Sequence, residues 1–371
     1  MTSKTVSLAE RMARTLRSDV AGMHAYAVQD ARGLHKLDAM ENPHRLPAAM
    51  QQQLGQRLGA LALNRYPDGR IDDLRRALMT HAQVPDGFDL MLGNGSDELI
   101  SMLAIACDVP DATIMAPVPG FVMYRMSAQL QGLRFVGVDL TADFELDEGA
   151  MLQAIAEHQP AILYLAYPNN PTANLWDDAV IDRLIAAAPG LVVMDEAYQP
   201  FAGRSFIDRL AAHAHVLLMR TMSKFGLAGV RIGYLIGRSP LIAEIDKVRP
   251  PYNVSVLNAE CALFALEHAE VFAAQAQDIV VQRQWLVAQL SQLPGVHCFA
   301  SEANMLLVRL PEAAAADGPS ASAAAFAGMR ARGVLVKDVS GMHPLLRNCL
   351  RLTVGTEPEN QAMLQALKEC L

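Results

Sequence analysis

The sequence predicts an α/β protein in which a mostly parallel central sheet is flanked by helices, with a smaller α+β unit beside it. Short, fully apolar segments alternate with helical patterns between residues 113 and 236. Strands that are apolar on both faces are typical of parallel sheets covered by helices on both sides. After residue 250 the pattern changes to long helical stretches and then to strand-like segments, which favours a second unit of different architecture.

The elements follow from this pattern in chain order. The predicted strands of the large unit are 113–116, 134–138, 161–166, 191–194, 216–219 and 231–236. Helical periodicity is predicted over 98–107, 121–131, 148–158, 177–187 and 206–213. Further on, the prediction is helix over 252–293 with a break near His268, strands at 296–300, 305–310, 334–337 and 350–354, and a last helix over 358–371. We therefore divide the chain into an N-terminal arm that forms part of the small domain (1–46), a large domain (47–250) and a small C-terminal domain (251–371).

Composition excludes several classes of protein. Of the 371 residues, 52% are hydrophobic and 19% charged, which is unlike a disordered chain. The net charge of -8 argues against a nucleic-acid-binding protein. No apolar run is long enough to span a membrane, and the first residues lack the features of a secretory signal. The five scattered cysteines predict free thiols in the reducing cytoplasm.

Polar residues follow three successive predicted strands, at the point where each strand ends. In chain order they are Asn170, then Asp195 and Tyr198, then Ser223 and Lys224. The carboxyl ends of parallel strands meet at one edge of a sheet, where ligands bind in such folds. One such residue alone is usually a loop residue or a helix cap, but three successive positions predict a binding site.

Lys224 is the most informative of these residues. A lysine forms an imine only in its neutral state, and its free pKa is about 10.4. Burial and nearby positive charge lower that pKa, and Arg231 follows seven residues later. The neighbours Ser223, Phe225 and Gly226 are small or apolar, unlike those of a solvated surface lysine, which is the alternative interpretation.

Asp195 ends a fully apolar predicted strand, where a carboxylate is costly unless it meets a cation. A protonated pyridine nitrogen is such a cation, and its protonation makes the ring an electron sink. The structural alternative is that Asp195 caps the next helix. Tyr198 and Asn170 would donate to a ring hydroxyl, although either alone is equally compatible with packing or a turn.

The segment 93–98 (GNGSDE) leads small residues into a predicted helix, whose unpaired N–H groups would bind an anion. It matches neither GxGxxG nor GxxxxGK[ST]. Alone it is a weak signal, and it indicates an anion site only together with Ser223 and Arg231. A lysine that is preceded in the chain by Asn170, Asp195 and Tyr198, flanked by Ser223 and followed by Arg231 is what an enzyme needs to hold pyridoxal phosphate. The His and Cys spacings predict no metal site, and the absence of GxSxG disfavours a serine hydrolase.

These segments resemble those of the fold-type I pyridoxal-phosphate-dependent aminotransferases, and more closely their histidinol-phosphate aminotransferase branch. The resemblance covers nearly the whole chain. Its markers are 37–43 (LDAMENP), 64–68 (NRYPD), 93–98, 167–172 (YPNNPT), 195–198 (DEAY), 220–226 and 350–355 (LRLTVG).

The resemblance implies roles for individual residues. Lys224, Asp195 and Tyr198 would be catalytic: Lys224 as the Schiff-base lysine and proton shuttle, Asp195 as the partner of the pyridine nitrogen. The cofactor would be held by Gly95, Ser96, Asp97, Phe121, Asn170, Asp195, Tyr198, Ser223, Lys224 and Arg231, and by Tyr66 from the second subunit of a homodimer. The substrate would be bound by Arg351, Lys337, Tyr26 and Asn42.

Four positions depart from the pattern of the branch. Phe121 stands where a tyrosine is common, and Ala173 replaces a glycine. The spacing from Lys224 to Arg231 is one residue shorter than in many relatives, so we expect a compensating bulge. Lys337 occupies the place of a second substrate arginine, which keeps the charge but loses the bidentate geometry.

The activity implied by the resemblance is the transfer of an amino group from L-histidinol phosphate to 2-oxoglutarate, giving imidazole acetol phosphate and L-glutamate by a ping-pong route. Two alternatives share the scaffold: an aromatic amino-acid aminotransferase and a threonine-phosphate decarboxylase. A third, of another class, is a non-catalytic cofactor-binding regulator. The intact set Lys224, Asp195, Tyr198 and Arg231 disfavours the regulator.

Overall fold

The structure is a computed structural model that describes residues 6–23, 28–67, 69–312 and 320–371. It separates into two compact units, Met1–Arg32 and Gly33–Leu371. The first unit contains helices α1 (Leu8–Thr15) and α2 (Ser18–Ala21). Helix α1 begins at a capping box, in which the Ser7 hydroxyl accepts from the Glu10 backbone N–H over 3.2 Å and the Glu10 carboxylate accepts from the Ser7 N–H over 2.8 Å. The N-terminal arm thus contains two helices.

The second unit contains the remaining strands and helices. Its strands are β1 (His35–Lys36), β2 (Phe88–Gly93), β3 (Thr113–Val118), β4 (Arg134–Asp139), β5 (Ile162–Ala166), β6 (Leu191–Asp195), β7 (Val216–Thr221), β8 (Gly233–Arg238), β9 (His297–Cys298), β10 (Met305–Arg309), β11 (Val334–Leu335), β12 (Lys337–Asp338) and β13 (Cys349–Thr353). Its helices are α3 (Ala48–Gly59), α4 (Arg70–His81), α5 (Ser96–Ala106), α6 (Val122–Gln131), α7 (Glu148–His158), α8 (Asp178–Ala187), α9 (Ile207–Leu210), α10 (Ser239–Ile245), α11 (Val256–Glu267), α12 (Ala269–Leu290), α13 (Ala321–Ala331) and α14 (Glu357–Lys368).

The large sheet has the strand order β2–β8–β7–β6–β5–β3–β4. Strands β4, β3, β5, β6 and β7 pair in parallel in this order. Strand β8 is antiparallel to both β7 and β2. The prediction of a mostly parallel central sheet flanked by helices is therefore confirmed.

Successive residues of the inner strands enter different hydrophobic clusters. Along β5, Ile162 and Tyr164 pack into one cluster, while Leu163 and Leu165 pack into another. Because side chains alternate across a sheet, each cluster covers one face. All four are fully buried, which explains why the sequence of this strand is apolar at every position.

Some element boundaries differ from the predictions. Strand β2 was not predicted, because Asp89 interrupts its apolar run and glycine closes it. The strand predicted from residue 231 begins at Gly233 instead, since Arg231 adopts a left-handed conformation with φ 55°. The helix predicted over 206–213 is limited to α9.

The C-terminal elements form a smaller sheet of order β12–β13–β10–β9, in which each pair is antiparallel. Separately, β1 pairs in parallel with β11. Helices α11 and α12 meet at His268, as the predicted helix break requires. The division into domains 1–46, 47–250 and 251–371 stays a prediction. Among the described residues, we find no helix that combines the length and apolarity needed to cross a membrane.

Candidate active site

A cavity lies at the carboxyl ends of β5, β6 and β7, where the sequence places its polar residues. Parallel pairing of these strands brings the segments that follow them to one edge of the sheet. The residues that line the cavity are Met40, Ser96, Asp97, Phe121, Tyr124, Ala166, Pro168, Asn170, Asp195, Ala197, Tyr198, Thr221, Ser223, Lys224 and Arg231. Most of the predicted cofactor residues thus meet at one place.

Lys224 lies in a wide turn, Ser223–Leu227, directly after β7. Its Nζ donates to the carbonyl oxygen of Ala39 over 3.0 Å and lies 5.7 Å from the centre of the Tyr198 ring. Burial, followed by the positive charge of Arg351, lowers the pKa of Lys224 to about 7. A large fraction of the amine is therefore neutral at neutral pH, as nucleophilic attack requires.

Asp195 is the last residue of β6 and is only 4% exposed. One carboxylate oxygen accepts from the hydroxyl of Tyr124 over 2.7 Å, and the other accepts from the backbone N–H of Ala197 over 3.1 Å. Burial raises the pKa of Asp195 to about 6, while these two hydrogen bonds act against that rise. A positively charged group beside Asp195 would hold it ionised.

Tyr124 was missed by the sequence analysis. It lies on α6, three residues after Phe121, the N-cap of that helix, and the two rings meet edge to face with 5.6 Å between centroids. The Tyr124 ring is 2% exposed and stacks on the ring of Tyr164 with 4.3 Å between centroids. A tyrosine on the buried face of a helix looks like core in a sequence, and its spacing from Phe121 was the available signal.

Asn170, Tyr198 and Arg351 form a hydrogen-bonded chain. The Asn170 amide donates to the Tyr198 hydroxyl over 2.9 Å, and its carbonyl oxygen accepts from Arg351 Nη1 over 2.8 Å. Arg351 Nη2 donates to the carbonyl oxygen of Asp38 over 2.8 Å. Burial raises the pKa of Tyr198, so its hydroxyl remains protonated. The site therefore has a guanidinium on the side of Asn170 and Tyr198.

A second guanidinium, that of Arg231, lies at the start of α5. Its Nη1 donates to Ser223 Oγ over 3.3 Å, and its Nη2 contacts an Asp97 carboxylate oxygen at 3.1 Å. Gly95 has φ 86°, and a Cβ at this position would lie 2.4 Å from Arg231 Nη2. The glycine therefore permits the loop 93–96 to run directly beneath the guanidinium.

Two residues between Lys224 and Arg231, inclusive, have unusual backbone conformations. Gly226 has φ 138° within the wide turn, and Arg231 itself has φ 55°. In this arrangement Arg231 contacts Ser223 Oγ, while the compensating bulge stays a prediction. Ala173, where the resemblance leads us to expect glycine, has a left-handed conformation with φ 67°.

Lys337 and Arg351 are register partners on the adjacent antiparallel strands β12 and β13. Residues directly opposite in such a pair project to the same face of the sheet. Lys337 is partly buried. The two cations predicted to bind the substrate therefore belong to one face of the smaller sheet.

Within the described ranges, two predicted site residues, Tyr66 and Asn42, are not part of the cavity lining. Tyr66 is 75% exposed and stacks on Tyr252 with 4.5 Å between ring centroids. The Asn42 amide donates to Gln275 over 2.9 Å, and its oxygen accepts from a backbone N–H over 2.8 Å. Tyr26 lies outside the described residues.

The residues present fit pyridoxal phosphate. Asp195 is a buried carboxylate of raised pKa that a pyridinium nitrogen would stabilise. Lys224 offers an amine of lowered pKa in the same cavity. Ser223, Arg231 and the first residues of α5 form a cationic and N–H-rich corner for a phosphate. Phe121 lines the cavity and is available to pack on a ring.

Comparison with known proteins identifies the family. The family described as aminotransferase class I and II matches residues 35–367. The histidinol-phosphate aminotransferase of Polaromonas naphthalenivorans (strain CJ2) is 67% identical over 374 residues, covering 100% of both chains. That of Methylibium petroleiphilum is 67% identical over 367 residues, covering 98% of this chain and 96% of the relative.

A solved structure shares the fold. The histidinol-phosphate aminotransferase from Sinorhizobium meliloti in complex with pyridoxal-5'-phosphate superposes with a TM-score of 0.82 and 23% identity, covering 96% of this chain and 97% of the other. The chain therefore belongs to the class I and II aminotransferases, a family of enzymes whose cofactor is pyridoxal phosphate.

Proposed function

We propose that this chain transfers the amino group of L-histidinol phosphate to 2-oxoglutarate, giving imidazole acetol phosphate and L-glutamate, with pyridoxal phosphate as cofactor. The observation that carries the proposal is the presence of two separate cationic centres. Arg231 lies at the start of α5, and Arg351 lies beside Asn170 with Lys337 opposite it in register. One centre suits the cofactor phosphate, and the other suits the anionic end of a substrate.

The cofactor, when bound, supplies an electron-withdrawing ring that stabilises negative charge at the substrate carbon. Asp195, which accepts a hydrogen bond from Tyr124, would keep the ring nitrogen protonated. Tyr198 and Asn170 would donate to the ring oxygen, and Phe121 would pack on the ring. Ser223, Arg231, Gly95 and the amides of Ser96 and Asp97 would hold the phosphate.

Lys224 anchors the cofactor covalently and moves the proton. Its pKa of about 7 suits an amine whose Nζ would accept the proton of the substrate carbon and pass it to the carbon of the cofactor. The carbonyl oxygen of Ala39, 3.0 Å away, accepts a hydrogen bond from this Nζ and so orients the free amine.

Arg351 binds the carboxylate of glutamate in one half-reaction and the phosphate of histidinol phosphate in the other. A planar guanidinium serves both, because each ligand presents a pair of anionic oxygens. Lys337 adds positive charge from the neighbouring strand. We assign Asn42 and Tyr26 to the substrate side of the site on the resemblance alone.

We further propose that the enzyme is a homodimer in the cytoplasm. The exposed Tyr66 ring, stacked on Tyr252, is presented outward and is free to reach the phosphate in a partner's site. The free thiols of all five cysteines suit a reducing compartment. The oligomeric state would be checked by sedimentation of the holoenzyme.

The test separates this function from the alternatives on the same scaffold. L-Histidinol phosphate, L-phenylalanine and L-threonine phosphate are added singly to the holoenzyme without a keto acid, and the visible absorbance of the cofactor is followed. We expect rapid loss of absorbance with histidinol phosphate and recovery on addition of 2-oxoglutarate. Loss with phenylalanine alone would assign the enzyme to aromatic amino acids, and carbon dioxide release from threonine phosphate would make it a decarboxylase.

Variants of Lys337 sharpen this test. We expect Lys337→Met to raise the KM for histidinol phosphate about tenfold, because a charge contact to the phosphate is lost. Lys337→Arg keeps the charge and serves as the matched control. Equal KM values for all three proteins would remove Lys337 from the substrate site.

A further inference from the structure

Glu98 lies two residues after the loop 93–96 that runs beneath Arg231, and its side chain turns back onto that loop. Its carboxylate accepts from the backbone N–H of Asn94 over 2.6 Å. The same oxygen, Oε2, accepts from the side-chain amide of Asn253 over 2.7 Å. Glu98 therefore joins the loop to a segment 155 residues away in sequence.

Asn253 holds the other end of the loop as well. Its amide also donates to the carbonyl oxygen of Leu92, just before the loop, over 3.3 Å. Its side-chain oxygen accepts from Arg249 Nη1 over 3.4 Å, and Arg249 is itself paired with Asp246. One amide thus bridges the two ends of the loop, and a neighbouring arginine orients it.

On its other side the loop packs against the backbone of β8 at Gly233. A Cβ on Gly233 would lie 2.6 Å from Ser96 N, so β8 supports the loop from beneath. A Cβ on Gly95 would meet the Arg231 guanidinium. The contacts of Glu98 and Asn253 restrain the loop where it is not packed against β8 or Arg231.

The charge of Glu98 is favourable for the helix itself but unfavourable for a bound phosphate. A carboxylate in the first turn of α5 repels the dianionic phosphate that this helix end would bind. Its two hydrogen bonds, from the Asn94 N–H and from the Asn253 amide, give Glu98 a role in holding the loop in place. We infer that Glu98 and Asn253 form a clasp that positions the loop 93–96 for the cofactor phosphate. The inference rests on the cofactor of the proposed function.

The experiment compares binding of pyridoxal phosphate and of pyridoxal, which lacks the phosphate, to the apoenzyme. In Asn253→Ala we expect the Kd of pyridoxal phosphate to rise about tenfold, as for the loss of a hydrogen bond to a charged group. The Kd of pyridoxal should stay within about twofold, because the clasp acts through the phosphate alone. A general structural role would weaken both ligands equally and would overturn the inference.

Glu98→Gln distinguishes two effects of Glu98 on cofactor affinity, positioning of the loop by the clasp and repulsion of the phosphate by the carboxylate charge. Glutamine keeps the length of the side chain but removes the repulsive charge, so electrostatics alone predicts tighter pyridoxal phosphate binding. The clasp predicts weaker binding, because both hydrogen bonds lose their charged acceptor. The double variant should lose no more affinity than the more affected single variant. Tighter binding of pyridoxal phosphate by Glu98→Gln would contradict the clasp. Additive losses of affinity in the double variant would contradict it as well.

Two controls complete the design. Asn258→Ala removes an asparagine side chain from the nearby helix α11 and should leave both Kd values unchanged. The thermal midpoint of each apoenzyme shows that the variants fold. If the unaltered apoenzyme fails to bind pyridoxal phosphate, the proposed function is wrong; if it binds and the variants match it, only the clasp is wrong.

Discussion

The phenol of Tyr124 donates to the buried carboxylate of Asp195 over 2.7 Å, and this hydrogen bond opposes the burial that raises the pKa of Asp195 to about 6. Without it, the pKa of Asp195 would rise further towards neutrality, and less carboxylate would face the ring nitrogen at pH 7. Tyr124 is thus a positioning residue that keeps Asp195 ionised.

Tyr124→Phe tests this relationship. We expect kcat to fall about tenfold at pH 7, because a hydrogen bond to a charged group is lost. The loss should shrink as the pH rises, since a higher pH restores the carboxylate of Asp195. The measurement is kcat as a function of pH.

Tyr164→Phe is the matched control. It keeps the stacked ring and removes a buried hydroxyl that, among the described residues, has no hydrogen-bond partner. We expect activity to be unchanged and stability to be equal or slightly higher. Equal losses of kcat in Tyr124→Phe and Tyr164→Phe would show that the hydroxyl of Tyr124 has no specific effect on Asp195.

The lowered pKa of Lys224 gives a pH dependence with a defined sign. At about pH 7 half of the amine is neutral, so covalent attachment of pyridoxal phosphate to the apoenzyme should speed up as the pH rises through 7 and then level off. The rate is followed by the visible absorbance of the product.

Arg351 is one cause of that lowered pKa. Arg351→Gln removes its positive charge, so the midpoint of the attachment profile should move to higher pH and attachment at pH 7 should slow down. Arg347→Gln makes the same change at an exposed arginine and should leave the midpoint in place. A midpoint that is the same in all three proteins would refute the electrostatic role of Arg351.

Gly95→Ala should weaken cofactor binding. The added Cβ would stand 2.4 Å from Arg231 Nη2 at a residue with φ 86°, so either the guanidinium or the loop must move. We expect the Kd of pyridoxal phosphate to rise by about tenfold or more. At Gly229 a Cβ would meet open space, and Gly229→Ala should bind normally.

The buried ion pair of Arg220 and Glu196 predicts a large stability effect. Arg220 Nη2 lies 2.8 Å from the Glu196 carboxylate, which also accepts from Ser205 Oγ over 3.0 Å. Arg220→Met leaves a buried carboxylate without its cation and should destabilise the fold by about 3–5 kcal/mol. The measurement is the thermal midpoint of the apoenzyme.

Arg183 provides the comparison, since its ion pair with Glu148 is largely exposed. Arg183→Met should change stability by less than about 1 kcal/mol. Adding Glu196→Gln to Arg220→Met should recover part of the loss, because the uncompensated charge disappears. No recovery would assign the effect to packing instead.

The sequence predicted most of the central sheet because its inner strands are buried on both faces. Strands β5, β6 and β7 are continuous apolar runs, and polar residues mark their carboxyl ends. Strand β2 carries Asp89 in its second position and was missed. Its place is decided by pairing with β8, which lies far along the chain.

The sequence by itself determined the chain order of the reactive residues. It also predicted the strand ends after which Lys224, Asp195 and Asn170 lie, since the apolar pattern of a strand is a local property of the chain. Tertiary structure alone decided the contact of Tyr124 with Asp195 and the reach of Arg351 to Asn170, which are separated by 71 and 181 residues. The reason is physical: hydrogen-bond geometry and the pKa of a buried group depend on what surrounds it in space, and no local pattern encodes those neighbours.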